Sequence, residues 1–225
     1  FDSKGKIFLG ELSLDGSIRK IKGALSFTRK AKEEGFKEIF LPKENVNEAS
    51  LIEGITVYGV ETLGEIIEHF GENNKKIKPS LTRDVSKIRR ASENIFDLAD
   101  IKGQEAAKRA LEIAAAGGHD SARDGPPGTG KTMLAKALSG ILPPLSFDEM
   151  LEVTEIHSIT GSLTEDVMQE RPFRSPHHTS SYVALIGGGT NPRPGEITLS
   201  HKGVLFLDEF PEFEKRVIES LRQPL

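Results

Sequence analysis

The stretch Gly125-Pro-Pro-Gly-Thr-Gly-Lys-Thr132 decides the fold of this chain. It fits the phosphate-loop pattern G-x-x-x-x-G-K-[ST], in which a glycine-rich turn leads into a helix. Glycines let successive backbone N–H groups turn inward around phosphates, and the helix N-terminus that follows favours anions. Lys131 can reach the β- and γ-phosphates of ATP, and the Thr132 hydroxyl can ligate Mg²⁺. The alternative is an ordinary Gly-Pro turn that precedes a Lys-Thr pair.

An acidic pair downstream completes this pattern. Asp208-Glu209 directly follows the apolar run Val204-Leu-Phe-Leu207, which predicts a strand buried on both faces. This is the position of a Walker B pair, with Asp208 on the Mg²⁺ side and Glu209 placed to polarise the attacking water. The alternative is a solvated acidic turn at the end of a strand, but a phosphate loop in the same domain favours the catalytic interpretation.

The residues before the loop do not fit the rest of the pattern. A phosphate loop should leave a buried strand, whereas His119-Asp-Ser-Ala-Arg-Asp124 is polar and carries three charged side chains. Such a segment is not typical of a central strand. It predicts either a loop in place of the strand or a local irregularity, and it leaves open whether the nucleotide pocket is intact.

Helices flank the loop. Alanines and leucines at helical spacing predict a helix from Gln104 to Ala116, and a second is predicted from Thr132 to Leu138. Ser146-x-x-Glu149 is a capping-box pattern, which predicts a helix that continues through Leu151.

Histidines and arginines between the two motifs allow two interpretations. His177 and His178 are adjacent, and on an extended chain they would point to opposite sides, which favours polar loop contacts over a metal site. Arg171, Arg174 and Arg193 could bind a phosphate or a neighbouring subunit, or could simply belong to surface turns.

The amino-terminal stretch to about Phe70 alternates strand and helix patterns and predicts a small α/β unit. Asp15-Gly16 predicts a two-residue hairpin turn. Residues 71–90 are rich in Lys and Arg and indicate a linker, with a nucleic-acid-contacting strap as the alternative.

The composition fits a globular protein with a reducing, cytoplasmic location. Hydrophobic residues make up 36% and charged residues 28% of the 225 residues, the formal net charge is -4, and there is no Cys. No apolar run reaches the roughly 18 residues that a membrane span requires, so no membrane partner is expected. The chain begins with Phe1 rather than Met, and we expect it to be part of a longer protein.

Seven motifs together resemble the magnesium-chelatase-like AAA+ ATPases, the YifB/ComM group. They are Gly118-His119, Gly125–Lys136, Gly140–Pro144, Glu170–Thr179, Ala184–Gly189, Pro192–Ile197 and Gly203–Glu209. The resemblance implies a P-loop AAA+ core, a parallel sheet flanked by helices, in an ATPase that forms hexameric rings. Some members of the family are described as helicases in natural transformation, or competence, which implies DNA as a partner.

The resemblance also implies site residues. Lys131 and Glu209 would be catalytic, and Thr132 and Asp208 would hold Mg²⁺. The residues expected to bind ATP are Ile101, Gly125, Pro126, Pro127, Gly128, Thr129, Gly130, Lys131, Thr132 and Met133. The sensor, arginine finger and helical lid of the family follow Walker B, so residues 1–225 alone are expected to bind ATP but to hydrolyse it poorly.

The amino-terminal part resembles the later half of a Lon-type protease domain, through Gly10–Gly16, Ile21–Gly23 and Ile39–Asn45. The Lon catalytic lysine aligns with Leu25, so no peptidase activity is expected. The expected organisation is a partial Lon-protease-like α/β domain at 1–72, a linker at 73–94 and the AAA+ core at 95–225.

Three functions stay open at this point. The first is a DNA-acting motor ATPase of the branch-migration or helicase type. The second is a chelatase-type motor that acts on a protein partner, although the Lon-like domain argues against it. The third is a non-catalytic nucleotide-binding scaffold, which the polar stretch Asp120–Asp124 favours.

Overall fold

The computed structural model describes residues 3–71, 76–81, 96–126, 128–163 and 167–222. The chain forms two compact units. The first consists of Phe1–Arg89 with Thr154–Val167, and the second of Arg90–Val153 with Met168–Leu225. Of the predicted linker, 73–94, only residues 76–81 are among those described. No helix of the described residues is both long enough and apolar enough to cross a membrane.

The described part of the first unit has five strands: β1 (Lys6–Phe8), β2 (Glu11–Leu12), β3 (Ile18–Arg19), β4 (Glu38–Pro42) and β5 (Thr56–Val60). β1, β4 and β5 form a parallel sheet with β4 in the middle, and β2 pairs with β3 in an antiparallel hairpin. A middle strand is hydrogen-bonded on both edges and can be covered on both faces, which fits the apolar composition of β4.

The core of the first unit is centred on β4. Its residues Ile39, Phe40 and Leu41 are fully buried. Phe40 lies between Phe8 and Tyr58 in the register of the sheet, and its ring stacks on theirs at centroid distances of 4.8 and 4.6 Å.

Among the described residues, three α-helices lie entirely within the first unit: α1 (Ala24–Glu33), α2 (Val46–Ala49) and α3 (Leu63–Phe70). Leu25, which the resemblance to Lon-type domains would align with the catalytic lysine, is fully buried in α1. The predicted hairpin is confirmed, but its loop spans residues 13–17 rather than two residues. The longer loop forms because the Asp15 carboxylate accepts hydrogen bonds from both the backbone N–H and the hydroxyl of Ser17.

The second unit contains most of the helices. They are α4 (Glu105–Gly117), α5 (Lys131–Ile141), α6 (Phe147–Thr160), α7 (Tyr182–Ile186), α8 (Glu196–Leu199) and α9 (Lys215–Ser220), of which α6 belongs to the first unit from Thr154 onward. Its strands are β6 (Phe173–Arg174), β7 (Gly187–Gly188), β8 (Arg193–Pro194) and β9 (Val204–Leu205).

The capping box at the start of α6 is confirmed. The Ser146 hydroxyl accepts from the Glu149 N–H at 3.3 Å, and the Glu149 carboxylate accepts from the Ser146 N–H at 2.9 Å. Two orphan backbone donors of the helix N-terminus are therefore satisfied reciprocally.

The predicted strand at 204–207, buried on both faces, is wrong in its extent and in its burial. β9 comprises only Val204 and Leu205, and residues 204–207 are all half-buried. It pairs in parallel with β6, and residues 119–126, the polar segment before the phosphate loop, form no strand. Among the described residues β6 and β9 form a two-stranded sheet, so β9 lacks the cover that a central strand has. The mixed α/β architecture, with parallel strands and helices, fits a P-loop AAA+ fold.

Candidate nucleotide-binding site

The phosphate loop is built on three glycines with positive φ. Gly125, Gly128 and Gly130 have φ angles of 159°, 81° and 79°, a region that L side chains rarely adopt. A Cβ added at Gly128 would meet no atom within 4 Å, so the glycine serves the backbone path rather than close packing. Gly130 is the N-cap of α5, and the loop therefore leads directly into a helix N-terminus. Pro127, predicted to bind the nucleotide, lies outside the described residues.

Side chains of the loop hold its shape. The Lys131 ammonium donates to the carbonyl oxygen of Gly125 at 2.5 Å and lies 3.5 Å from that of Pro126. The Thr129 hydroxyl donates to the Pro126 carbonyl oxygen at 3.0 Å. The ammonium of Lys131 is therefore held by carbonyl oxygens of the loop itself, and a bound phosphate would compete with these oxygens for its positive charge.

Two residues that the motif itself does not include support the loop from outside. The Gln104 amide donates to the Thr129 carbonyl oxygen at 2.5 Å, and the Arg123 guanidinium donates to the Lys131 carbonyl oxygen at 3.2 Å. Burial lowers the pKa of Arg123 from its usual value. The polar stretch before the loop therefore contributes a side chain to the site, although it forms no strand.

The predicted metal ligands lie next to each other. The Thr132 hydroxyl, in the first turn of α5, donates to Asp208 Oδ2 at 3.4 Å, and the two residues are 76 positions apart in the chain. Asp208 Oδ1 accepts from the backbone N–H of Glu209 at 3.0 Å. The end of β9 is thus connected to the start of α5 through one carboxylate.

This pair of oxygens fits Mg²⁺. Among the described residues no three His, Cys, Asp or Glu side chains converge as a metal cage, but Mg²⁺ is usually held by one or two protein oxygens together with substrate phosphates and water. A hydroxyl and a carboxylate beside a phosphate loop provide that donor set. Thr132 and Asp208 would hold the ion.

Glu209, the predicted water-polarising residue, contacts a histidine. His178 Nδ1 lies 3.0 Å from Glu209 Oε2, and the side chain of Glu209 is 64% exposed. Glu209 has a left-handed backbone with φ 53°, which non-glycine residues adopt uncommonly. The acidic pair therefore diverges: Asp208 contacts the phosphate-loop helix, and Glu209 contacts the loop that follows β6.

The prediction that the two adjacent histidines point to opposite sides is wrong. The rings of His177 and His178 lie 4.1 Å apart between centroids, because the chain turns at 178–179 and is not extended there. His177 Nδ1 lies 2.9 Å from the Thr179 hydroxyl. Polar loop contacts, favoured by the sequence over a metal site, are what these two side chains make.

Of the three arginines in this region, two have partners within the second unit. Arg174 Nε and Nη2 donate to the two carboxylate oxygens of Glu196 at 2.5 and 2.7 Å. Arg171 donates to the carbonyl oxygens of Pro143 and Lys202, both at 2.6 Å. These contacts are structural, and they favour the interpretation of Arg171 and Arg174 as parts of local turns.

The remaining predicted nucleotide contacts differ in exposure. Ile101 is 7% exposed and belongs to an apolar cluster with Leu98, Leu111, Leu134 and Ala137. Met133, in α5, is 44% exposed. Ile101 therefore packs inside the unit, and Met133 is the more accessible of the two apolar side chains.

Sequence comparison places the chain in a family. Residues 97–225 match the family described as magnesium chelatase, subunit ChlI, and residues 2–45 match a second description, subunit ChlI of Mg-chelatase. The first match covers more than half of the chain, so the chain belongs to the magnesium-chelatase-like family, the YifB/ComM group.

Three relatives show the extent of the similarity. The chain is 46% identical over 222 residues to an uncharacterized protein of Mycobacterium tuberculosis, which covers 97% of this chain and 43% of the relative. It is 43% identical over 220 residues to the competence protein ComM of Haemophilus influenzae, an alignment that covers 97% of this chain and 43% of the relative. It is 44% identical over 218 residues to the uncharacterized protein YifB of Escherichia coli, an alignment that covers 96% of this chain and 42% of the relative. The chain thus spans less than half the length of these relatives.

Proposed function

We propose that this chain carries the ATP-binding and catalytic side of an AAA+ motor that hydrolyses ATP with Mg²⁺. The observation that carries the proposal is the 3.4 Å approach of the Thr132 hydroxyl to the Asp208 carboxylate. It joins the phosphate loop to the acidic pair in one site, as nucleotide hydrolysis requires.

Each residue of the site has a part in this proposal. Backbone N–H groups of Gly128, Thr129 and Gly130 would hold the phosphates, and Lys131 would neutralise charge on the β- and γ-phosphates. Thr132 and Asp208 would hold Mg²⁺, which when bound supplies positive charge next to the phosphate oxygens. The Glu209 carboxylate would orient the attacking water and accept its proton.

We further propose that the motor acts on DNA and works as a homo-oligomer, a ring of six full-length chains. The support is the 43% identity to a relative named as a competence protein and the resemblance of the motifs to ring-forming AAA+ ATPases. The expected location is the cytoplasm, and the domain organisation proposed is a Lon-like domain at 1–72 before the AAA+ core at 95–225.

The test is ATP turnover by the full-length natural protein with and without branched or single-stranded DNA. Lys131→Ala should lower nucleotide affinity and turnover together, because it removes the phosphate-binding charge. Glu209→Gln should lower kcat by roughly 10²-fold or more and leave nucleotide affinity nearly unchanged, because only the proton acceptor is lost.

The alternatives predict other results. A chelatase-type motor, suggested by the description of the family, would hydrolyse ATP without stimulation by DNA. A non-catalytic scaffold, suggested by the missing strand at 119–126, would bind nucleotide with no turnover above that of Glu209→Gln. Turnover that is unchanged in both variants would contradict the assignment of the site itself.

A further inference from the structure

The imidazole of His178 is less exposed than the carboxylate that it contacts. The centroid of the His178 ring lies 4.1 Å from that of His177 and 6.5 Å from that of Phe213, whose ring meets it edge-on. Phe213 is 4% exposed and packs with Leu185 and Val217 in an apolar cluster. The side chain of His178 is 27% exposed against 64% for Glu209, so the histidine is the more enclosed partner of the two.

The fold brings these two side chains to one edge. β6 and β9 are parallel, with Phe173 opposite Val204 and Arg174 opposite Leu205. Parallel strands end at the same edge of a sheet, so the loop that carries His178 and the turn that carries Glu209 both leave from there. The contact between them follows from the strand pairing, not from the sequence distance.

The contact between His178 and Glu209 is expected to add little to the stability of the fold. An ion pair or hydrogen bond at a mostly exposed carboxylate contributes little to folding. Glu209 nevertheless has the left-handed backbone, with φ 53°, that is uncommon for a residue with a side chain, and such conformations concentrate at functional sites. The pairing acts on the direction of one carboxylate rather than on the fold.

We propose that His178 is the positioning residue of Glu209: its Nδ1–H holds Oε2 of the carboxylate, which leaves Oε1 to accept a hydrogen bond from the attacking water. The proposal rests on the proposed ATPase function. It connects the loop after β6 to hydrolysis, because a displacement of His178 would move the proton acceptor. A general base must lie within hydrogen-bond reach of the proton it takes, and small misplacements cost large factors in rate.

The experiment compares kcat and KM for ATP in the full-length natural protein, together with the affinity for a fluorescent ATP analogue and the melting temperature. His178→Ala should lower kcat about 10-fold or more, with nucleotide affinity and melting temperature close to the unmodified values. His178→Asn should recover most of kcat, because the Asn amide N–H can occupy the place of Nδ1–H.

A matched control is available in the same unit. His201 Nε2 contacts Glu152 Oε2 at 3.2 Å, a pair of the same residue types at nearly the same distance, away from the acidic pair. His201→Ala should leave kcat and nucleotide affinity unchanged. In a Glu209→Gln background, His178→Ala should cause no further loss, because residues that act as a unit are not additive.

Several results would overturn the proposal. One is kcat of His178→Ala within twofold of the unmodified protein, and another is an Asn variant as slow as the Ala variant. A loss of kcat that is matched by the loss of nucleotide affinity or of melting temperature would show a structural role instead. If the unmodified protein itself has no turnover, the proposed function fails first, and the positioning role fails with it.

Discussion

The sheet of the first unit and the strand pair β6–β9 of the second unit are both parallel, but they differ in how deeply their strands are buried. β4 lies between β1 and β5, and Phe40 at its centre is fully buried. β9 pairs with β6, and its residues are half-buried. The first sheet is therefore an apolar core, whereas the second ends in a cluster of polar and charged side chains.

Stability and chemistry therefore depend on different regions of the molecule. Burial of large apolar side chains stabilises the first sheet. At the end of β9, Asp208 contacts Thr132 and Glu209 contacts His178, and the exposed acidic pair is accessible to solvent. We expect truncation of an apolar side chain to lower the free energy of unfolding more in the first sheet than at β9.

The largest expected effect is on the free energy of unfolding of the first unit. Phe40→Ala should lower it by roughly 3–5 kcal/mol, because a fully buried aromatic ring leaves a cavity. Phe206→Ala, after β9, should lower the stability of the second unit by about 1–2 kcal/mol, because that ring is only half-buried.

The chain offers a separate reporter for each unit. It has two Tyr and no Trp, with Tyr58 in the first unit and Tyr182 in the second. Denaturation followed by tyrosine fluorescence in a Tyr182→Phe background reports on Phe40→Ala, and a Tyr58→Phe background reports on Phe206→Ala. If the two substitutions lowered the free energy of unfolding equally, the difference in burial between the two sheets would not decide their stability.

A smaller effect is expected from a polar contact of the second unit. Arg174→Ala should lower the unfolding free energy by roughly 1.5–3 kcal/mol, because the bidentate contact with the half-buried Glu196 is lost. The control is Arg109→Ala, which removes an exposed pair with Glu112 at 2.8 Å and should cost about 0.3–0.5 kcal/mol. Similar losses of unfolding free energy in the two variants, measured with Tyr182 as reporter, would show that the bidentate pair stabilises the unit no more than an exposed pair does.

Local signals in the sequence predicted local structure well. The capping box at Ser146 and Glu149 formed as expected, and α4 (Glu105–Gly117) lies within one residue at each end of the predicted helix from Gln104 to Ala116. Both depend on residues within one or two turns of each other, so tertiary contacts have little opportunity to override them. The phosphate loop is of the same kind, since its glycines act on the adjacent backbone.

Non-local features were harder to predict. The apolar run Val204–Leu207 indicated a fully buried strand, but burial depends on neighbours, and the segment 119–126 does not provide one. The approach of Thr132 to Asp208 was anticipated only because the two motifs work together. The contact of His178 with Glu209 could be foreseen only with knowledge that β6 pairs with β9, and a two-residue strand gives no reliable pattern.

The smallest effect is a pH dependence at the start of α6. The pKa of Glu149 is lowered from its usual value of 4.5, mainly by the hydrogen bond from the Ser146 N–H and to a smaller extent by the charges of Arg171 and Lys202. The folded state therefore favours the ionised carboxylate. The stabilisation is present above pH 4.5, the usual pKa, and is lost as the pH falls below it, through the lowered pKa.

Glu149→Gln keeps an oxygen that can accept the Ser146 N–H but has no charge, so the unmodified chain should be slightly more stable at pH 7. This advantage should shrink as the pH falls below about 4.5. Ser181→Ala is the control: it removes the N-cap hydroxyl of α7, which accepts from the Ala184 N–H at 3.2 Å, should cost about 1 kcal/mol, and involves no titrating side chain. Urea denaturation with Tyr182 as reporter measures both variants across this range, and an advantage over Glu149→Gln that stays constant from pH 7 to pH 4 would mean that the charge of Glu149 has no part in holding the helix.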